Sequence, residues 1–483
     1  MTDISVTSNK QTEAEALNFS RPLDVHRWSD YPEVNEFVDQ IHADYFTGKR
    51  HAIERKHLKV VLLDLYVCWL EHPDQKLAVP MSPKAYQARG NRYNSLHISS
   101  KTMEVVNRLA EVGLIGGKAG FYDRARRTGM LTRIWPTPTL TALFRASALD
   151  ASKVGTAPDQ EVIVLRDVSR ALVDYEDNDQ TNAMRAIVQE YNALLSRTLI
   201  DIRQLDDPWI DLKNGSKLLI GRHRQKVNRV FNRSSFDHGG RFYGPWWQAC
   251  PKAWRREIFI NDAPTIEQDY SSLHIALLYS TKGINYFETY ESDAYQVATP
   301  DFLESAVQTR KYAKLLLLMA INSKGDSETF AAFRSNRNES SDPLASSLTN
   351  AQLAIILNAL REKHPLIADD LATDAGIKLM NMDSKITEHV IKRFTALNIP
   401  VLTIHDSYIV NFGNDELLDQ VLTEAYEVVT GQTSVKSTIT GVIMDDEATW
   451  LTQRLPESAM VRSEGYKSRM IEWLVRENDL SNA

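Results

Sequence analysis

Apolar residues are unevenly spread along this chain, and their spacing marks out elements. Residues 1–48 are polar and mixed in charge, and are expected to form a polar N-terminal segment or a peripheral helix. From Ala52 to Glu71 the pattern is apolar almost all round through residues 60–70, as in a buried helix. Pro73, Pro80 and Pro83 then break it. Ser99 or Ser100 can cap a second helix in which Val105, Leu109 and Val112 share a face, and Gly113 can close it. Gly120-Phe121-Tyr122 and Met130 to Trp135 read as two strands around a loop with Arg124, Arg126 and Arg127. A linker near Ala151–Gln160 leads to helical spacing over Ala183–Thr198. Further on, a β-like run ends at Asp269 and is followed by a helix carrying Leu273, Ala276 and Leu277. A strong helix covers Arg310 to Asn322, and two apolar strand-like runs flank His405-Asp406, which places Asp406 at or beside a hairpin turn. A helix over Asp415 to Val429 follows, and no internal repeat interrupts the series.

Composition changes this picture little, but charge changes it more. The chain has 483 residues, 43% hydrophobic and 25% charged, which excludes a disordered or fibrous protein and leaves room for several domains. Its net charge of −7 hides two basic stretches. Lys76 to Arg133 holds 11 Lys/Arg against 3 Asp/Glu, and Lys213 to Arg256 holds 11 against 1. A solvated face explains one such run; two, both nearly free of acid, fit a polyanion binder better. In the second stretch Phe231, Phe236, Phe242, Tyr243, Trp246 and Trp247 interleave with the basic residues, a mixture suited to phosphate contact with base stacking. For the two tryptophans taken alone, core packing is the plainer role. Cys68 and Cys250 have no metal-ligand spacing, so neither a disulfide framework nor a zinc module is expected. The first thirty residues lack a signal-peptide core, and the longest apolar stretch contains Asp64 and is too short to span a bilayer. A soluble, cytoplasmic protein with no membrane partner is expected.

Three segments carry candidate chemistry. Asp269 stands at a strand's carboxyl end; Arg310, Lys314, Leu318 and Asn322 recur at four-residue steps along one helical stripe; Asp406 sits in the hairpin turn. Each has a plain role by itself, as helix cap, solvent face or turn. In this order they fit two metal-holding carboxylates separated by a cationic, triphosphate-binding helix. Nucleotidyl transfer needs those parts, since carboxylates and phosphate oxygens are the hard ligands that Mg²⁺ takes.

At these residues the chain resembles known families. Asp269-Tyr270-Ser271, Arg310 with Lys314, and His405-Asp406 resemble motifs A, B and C of the family A DNA polymerases and the single-subunit, phage-type RNA polymerases. Gly240-Arg241-Phe242-Tyr243 resembles the Gly-Arg element those enzymes carry before motif A. The helix, helix and Arg-tipped hairpin of residues 49–150 resemble a winged-helix DNA-binding domain, with Lys101 opening the second helix. The resemblance covers roughly residues 180–450, in short patches. It departs from the DNA polymerases at His274, where they place a Glu that helps exclude ribonucleotides, and at Leu318 and Asn322, where they place aromatics.

The resemblance implies an α+β fold: a right-hand, polymerase-like palm built on an antiparallel sheet, a helical thumb, short fingers and an N-terminal winged-helix domain. The implied organisation is a polar segment at 1–48, the winged helix at 49–150, and a thumb-like, basic nucleic-acid-binding region at 160–260. Palm with motif A (261–300), short fingers with motif B (301–395), palm with motif C (396–450), and a C-terminal helix and tail (451–483) follow. It implies that Asp269 and Asp406 ligate two Mg²⁺ ions, with Mn²⁺ an alternative, and that Arg310 and Lys314 bind the triphosphate. Tyr270, His274, Leu318 and Asn322 would complete the nucleotide site, and His405 would lie near the primer end. Arg241, Arg222, Arg224, Lys226, Lys101, Arg124, Arg126 and Arg127 would contact nucleic acid. The implied activity is template-directed extension of a nucleic-acid 3′ end from nucleoside triphosphates, in replication, priming or repair of a phage or mobile element. Two alternatives stand beside it: a DNA-binding initiator or regulator with an inactive palm, and an RNA polymerase or primase on the same fold.

Overall fold

A computed structural model of the chain describes residues 16–46, 51–86, 91–123, 128–150, 153–157, 159–221, 224–290, 292–336, 342–440 and 461–481. The N-terminal part comprises β1 (Ser20–Pro22), α1 (Pro32–Tyr45), α2 (His51–Glu71), β2 (Lys76–Val79), α3 (Lys101–Glu111), β3 (Ile115–Lys118), β4 (Phe121–Asp123), β5 (Thr128–Met130), β6 (Thr132–Pro136) and α4 (Pro138–Ala146). β1, β2, β6 and β3 form a sheet in that order, and β4 and β5 form a separate two-stranded ribbon. α2 is apolar all round because α1, α3 and the sheet enclose it. α3 ends as its sequence suggests: Gly113, at φ +76°, lets the Leu114 amide donate to the Leu109 carbonyl at 3.0 Å. The helix α1 falls within the segment expected to be a polar N-terminal stretch. It is the helical alternative of the two expected there, and its Val34, Val38 and Ile41 are buried among intervening charged residues.

The larger part holds β7 (Ile163–Leu165), α5 (Asp179–Ser196), β8 (Ile200–Ile202), β9 (Asn228–Asn232), β10 (Ser235–Tyr243), β11 (Ile258–Ile260), β12 (Ala263–Tyr270) and α6 (Leu273–Ser280). Then come α7 (Ala306–Ile321), α8 (Asp326–Arg334), α9 (Asn350–Lys363), α10 (Gly376–Ala396), β13 (Val401–Ile404), β14 (Ser407–Asn411), α11 (Asp415–Thr430), β15 (Ser437–Thr440) and α12 (Glu464–Ser481). A six-stranded sheet runs β8-β11-β12-β14-β13, with β15 pairing the far half of β12, and every pairing in it is antiparallel. A three-stranded sheet, β10-β9-β7, packs its long strand on α10. That approach requires glycine at residue 240. At φ +88°, a side chain there would meet the Phe231 ring at 2.7 Å and Ser384 Oγ at 2.8 Å. The chain is thus a mixed α and β protein with two hydrophobic cores, one for each part. Among the described residues, no helix is long and apolar enough to cross a membrane. Cys68 and Cys250 are both buried, free thiols.

Candidate active site

Strand alternation builds one wall of the site. Along β12, Ile266, Gln268 and Tyr270 are buried, while Glu267 and Asp269 project to the opposite face. β13 and β14 form a hairpin in which Ile404 pairs with Ser407, so His405 and Asp406 alone make the loop. Two-residue hairpin loops need a positive φ at the first position, and His405 supplies it at +57° without being glycine. Such a residue carries strain of about 1–3 kcal/mol, held there by the hairpin around it. Register then sets the neighbours: Asp269 pairs with Ser407, and the Tyr270 amide donates to the Asp406 carbonyl at 3.3 Å. Two aspartates 137 positions apart in sequence therefore stand at adjoining strand ends.

The electrostatics of this edge are unbalanced. Burial pushes the Asp269 carboxyl above its ordinary range, and the charges of Asp406 and Glu267 push it further, against Lys314 and Lys252. Glu267 is engaged: it accepts from Ser407 Oγ at 2.6 Å and lies 3.3 Å from Arg255. Among the described residues, no hydrogen bond or ion pair ties the side chain of Asp269 or Asp406. No cluster of three His, Cys, Asp or Glu side chains with metal-holding spacing occurs among those residues either. Among the described residues, the edge therefore offers two carboxylates without a third His, Cys, Asp or Glu ligand.

The cationic side comes from α7. Lys314 is near enough to Asp269 to act on its carboxyl. One turn earlier, Arg310 is paired with Asp293 at 2.7 Å, and both cations stand 5.6 Å from the Tyr295 ring centre. Arg310, Lys311, Lys314 and Gln296 line an open groove of about 460 Å³. Sequence reasoning missed Asp293 and Tyr295. They lie in an irregular connection with no periodicity, and only the fold carries them to α7. Burial pushes the Tyr295 phenol up; a hydrogen bond to Ser272 opposes this, and Asp293 and Asp406 add to it.

A third group lies beneath the carboxylates. Arg241, expected on a nucleic-acid face, is instead held inside, with Nε donating to Asp383 Oδ2 at 2.6 Å and Nη2 lying 3.0 Å from His274 Nε2. Guanidinium nitrogens only donate, so His274 Nε2 must accept and the ring proton sits on Nδ1. Burial and then Arg241 drive His274 down to about 4, which keeps it neutral. Asp383 is fully buried, and burial raises its carboxyl against the pull of Arg241. His405 packs its ring 5.6 Å from that of Tyr243, and burial lowers its pKa.

Several expected contacts are not brought to this site. Tyr270 faces the opposite side of β12, and its hydroxyl donates to the Leu422 carbonyl at 2.6 Å. Asn322 caps α7 and donates to the Leu318 carbonyl at 2.8 Å, while Leu318 itself is 42% exposed. Six of the eleven basic residues between Lys213 and Arg256 pair with acids of the chain itself. Arg224 faces Glu71, Arg229 pairs with Glu388, Arg233 with Asp374, Arg241 with Asp383, Arg255 with Glu267 and Arg256 with Glu257. Lys226 donates to the Ala157 carbonyl at 3.2 Å. Trp246 and Trp247 are fully buried in the core, not stacking platforms. A local charge count does not register four of these pairs, because Glu71, Asp374, Asp383 and Glu388 come from remote segments. Lys101 pairs with Glu104 at the start of α3. Arg124, Arg126, Arg127 and Arg222 lie outside the described residues.

No family model and no curated protein matches the chain. Among solved structures it is similar to the POL domain of Pol1 from M. smegmatis, in complex with DNA primer-template and dNTP. The identity is 12%, over 89% of this chain and 68% of that one, with a TM-score of 0.26.

Proposed function

We propose that this protein is a nucleotidyltransferase that extends a nucleic-acid 3′ end from nucleoside triphosphates. One observation carries the reading: two unpaired aspartates, Asp269 and Asp406, on neighbouring strand ends, with Lys314 of α7 close enough to act on Asp269. The charge of Asp406 raises the proton affinity of Asp269, a cost that a bound cation removes. Their oxygen donors suit Mg²⁺ or Mn²⁺, and the short protein ligand set leaves coordination places for water and phosphate oxygens. When bound, such ions supply Lewis-acid activation of the attacking hydroxyl and charge stabilisation of the leaving pyrophosphate.

The chain's own residues do the rest. Lys314 and Arg310 bind the triphosphate along the α7 groove, and Arg310 exchanges Asp293 for phosphate oxygens as it does so. The Tyr295 ring, 5.6 Å from both cations, helps hold them in place. In the reaction, the 3′-hydroxyl gives its proton to water as its oxygen forms a bond to the α-phosphorus, the bond from that phosphorus to the bridging oxygen breaks, and pyrophosphate leaves. Asp383 and Arg241 hold a positive charge beneath Asp406, which limits repulsion at the carboxylate pair. In this reading the sheet with β12–β14 is the palm, α7–α9 the fingers, and α2, α3 and the β4–β5 ribbon a winged-helix-like module that holds nucleic acid.

The test is extension of a labelled primer–template with Mg²⁺, using both sugar types. Asp269→Asn and Asp406→Asn are each expected to lower incorporation at least about a hundredfold. Unchanged extension in either variant overturns the assignment. The Arg310–Asp293 pair favours one second reading, a nucleic-acid binder that performs no incorporation. That reading predicts salt-sensitive DNA binding with no extended product from the wild-type chain.

A further inference from the structure

The N-terminal sheet β1-β2-β6-β3 turns one face to its core and the other outward. Alternation puts Leu77 and Ile134 on the core side and Lys76, Arg133 and Trp135 on the outer one. Past Arg133, the β3–β6 pair runs on as the β4–β5 ribbon in the same register: Lys118 faces Arg133, and Phe121 faces Met130. Tyr122 and Gly129 therefore fall in phase with Arg133 and Trp135, while Phe121 takes the opposite face. Neither hydrophobic core includes any residue of the ribbon. Phe121 is 62% exposed and Tyr122 67%, although an aromatic ring is what a core most readily encloses. A side chain at Gly129 would meet the Tyr122 ring at 2.9 Å, so that ring lies across bare backbone with most of its surface in solvent.

The cations of this face are not cancelled as those of α3 are. Lys76 holds its ammonium 4.8 Å from the centre of the Trp135 ring, and that indole lies across Gly116, where a side chain would meet it at 2.7 Å. Arg133 donates only to backbone carbonyls, from Nε to Leu17 at 3.0 Å and from Nη1 to Leu131 at 2.9 Å. Among the described residues no acid pairs with Lys76 or Arg133, and burial lowers the Arg133 pKa with no carboxylate to oppose it. From Lys118 to Arg133 the sequence holds five Lys/Arg against Asp123 alone. On α3, by contrast, Lys101 is paired with Glu104 and Arg108 with Glu111. A helix neutralised along its own length draws phosphate weakly, whereas a face with open cations and bare rings offers both contacts that a nucleic-acid strand makes.

We propose that the β4–β5 ribbon and the outer sheet face bind single-stranded nucleic acid, with unpaired bases stacked on Tyr122 and Phe121 and phosphates held by Lys76 and Arg133. Bases inside a duplex are already stacked on both sides, so two bare rings on a thin ribbon suit unpaired ones. The contact rests on the reading of the N-terminal part as the holder of nucleic acid, and it moves that role from α3 to the ribbon. It does not depend on the chemistry at Asp269 and Asp406, and its test is equilibrium binding, not extension.

The experiment measures fluorescence anisotropy of the full chain, without divalent metal, on an oligothymidine strand, an abasic strand of the same length and a duplex of that length. Tyr122→Ala and Phe121→Ala are each expected to weaken oligothymidine binding about tenfold, and Tyr122→Phe, which keeps the ring, to stay within about threefold of wild type. Neither alanine variant should change binding of the abasic strand, which has phosphates but no bases, or of the duplex by more than about threefold. Lys76→Gln is expected to weaken both single strands and to flatten their dependence on salt. Asn107→Ala, on the exposed side of α3, is expected to bind as wild type does. Four outcomes overturn the proposal: no binding of oligothymidine, ring variants that bind it like wild type, ring variants that weaken the abasic strand or the duplex equally, or a loss in Asn107→Ala that matches theirs. The expected pattern from a chain that extends no primer would leave this inference standing and remove the Asp269–Asp406 assignment; extension without the pattern would do the reverse. Circular dichroism and melting of each variant identify a folding failure, and Tyr122→Leu, which keeps apolar bulk without a stacking ring, is then expected to lose affinity as the alanine variant does.

Discussion

Asp64 and Asp269 are the same residue type in opposite circumstances. Asp64, on the buried helix α2, is fully enclosed yet accepts from Arg21 Nη1 at 2.8 Å, Arg27 Nε at 3.1 Å and the Asp24 amide at 2.7 Å. Burial alone would raise its carboxyl, but the two guanidiniums and these hydrogen bonds overcome it and hold it below the ordinary range. Asp269 is less buried, has no such partners, and faces Asp406, so its carboxyl is raised. A carboxylate saturated by its own chain is architecture; one left beside another carboxylate has capacity for something outside the chain. Arg241 with Asp383 lies between these cases, since it is buried and paired but placed directly under the unpaired edge.

The strongest way to break the comparison is at Asp64. Asp64→Asn leaves Arg21 and Arg27 without their buried counter-charge and is expected to destabilise the N-terminal part by about 3–5 kcal/mol in urea unfolding. Because the folded Asp64 carboxyl lies below its unfolded value of 3.8, its contribution is complete above that pH and is lost as pH falls through the folded value. A variant as stable as wild type at pH 7 would remove the distinction.

Next in size is the intermediate case. Asp383→Asn is expected to lower primer extension about tenfold, or about 1.4 kcal/mol on the barrier, as Arg241 loses its anchor and turns to Asp406. KM for the triphosphate should change little, so an effect confined to KM would contradict the positioning role.

A smaller effect of opposite sign to Asp64 is expected for stability at the edge. Asp269 has a folded value above its unfolded one, so its charged form costs stability above the folded value, and that cost disappears as pH falls below it. Asp269→Asn should therefore melt higher than wild type at pH 7, with the gain vanishing in acid, while losing activity. A lower melting temperature at pH 7 would mean that Asp269 has a structural partner after all. The subtlest change is Glu267→Gln. It removes one like charge and leaves Arg255 unpaired, and both lower the Asp269 carboxyl. The acid limb of the extension profile should shift to lower pH, and a shift to higher pH would contradict the assigned cause.

Much of this was legible in the chain itself. The apolar run of residues 60–70, the Gly113 stop, the alternation leading to Asp269 and the hairpin at His405-Asp406 are local signals, since each depends on neighbours within a turn or a strand. The helix α1 was one of two alternatives for the N-terminal segment, because a few buried residues among charges make a weak pattern. Tyr295 and Asp293 escaped because a loop has no period to read. The ion pairs of the basic, aromatic-rich stretch were not legible because a charge count along the chain cannot see partners 140 or more positions away, as with Arg233 and Asp374.

The amino-acid order determined the elements and the residue types on offer: two aspartates at strand ends, a helix with Arg310 and Lys314, and a long basic tract. Folding alone decided which charges would cancel. Backbone pairing acts over a few residues and is written locally, whereas the field at a side chain is the sum over everything packed around it. The same sequence feature, an acid or a base at a given position, became either a closed ion pair or an open site according to which remote segment the β12–β14 register and α10 brought beside it.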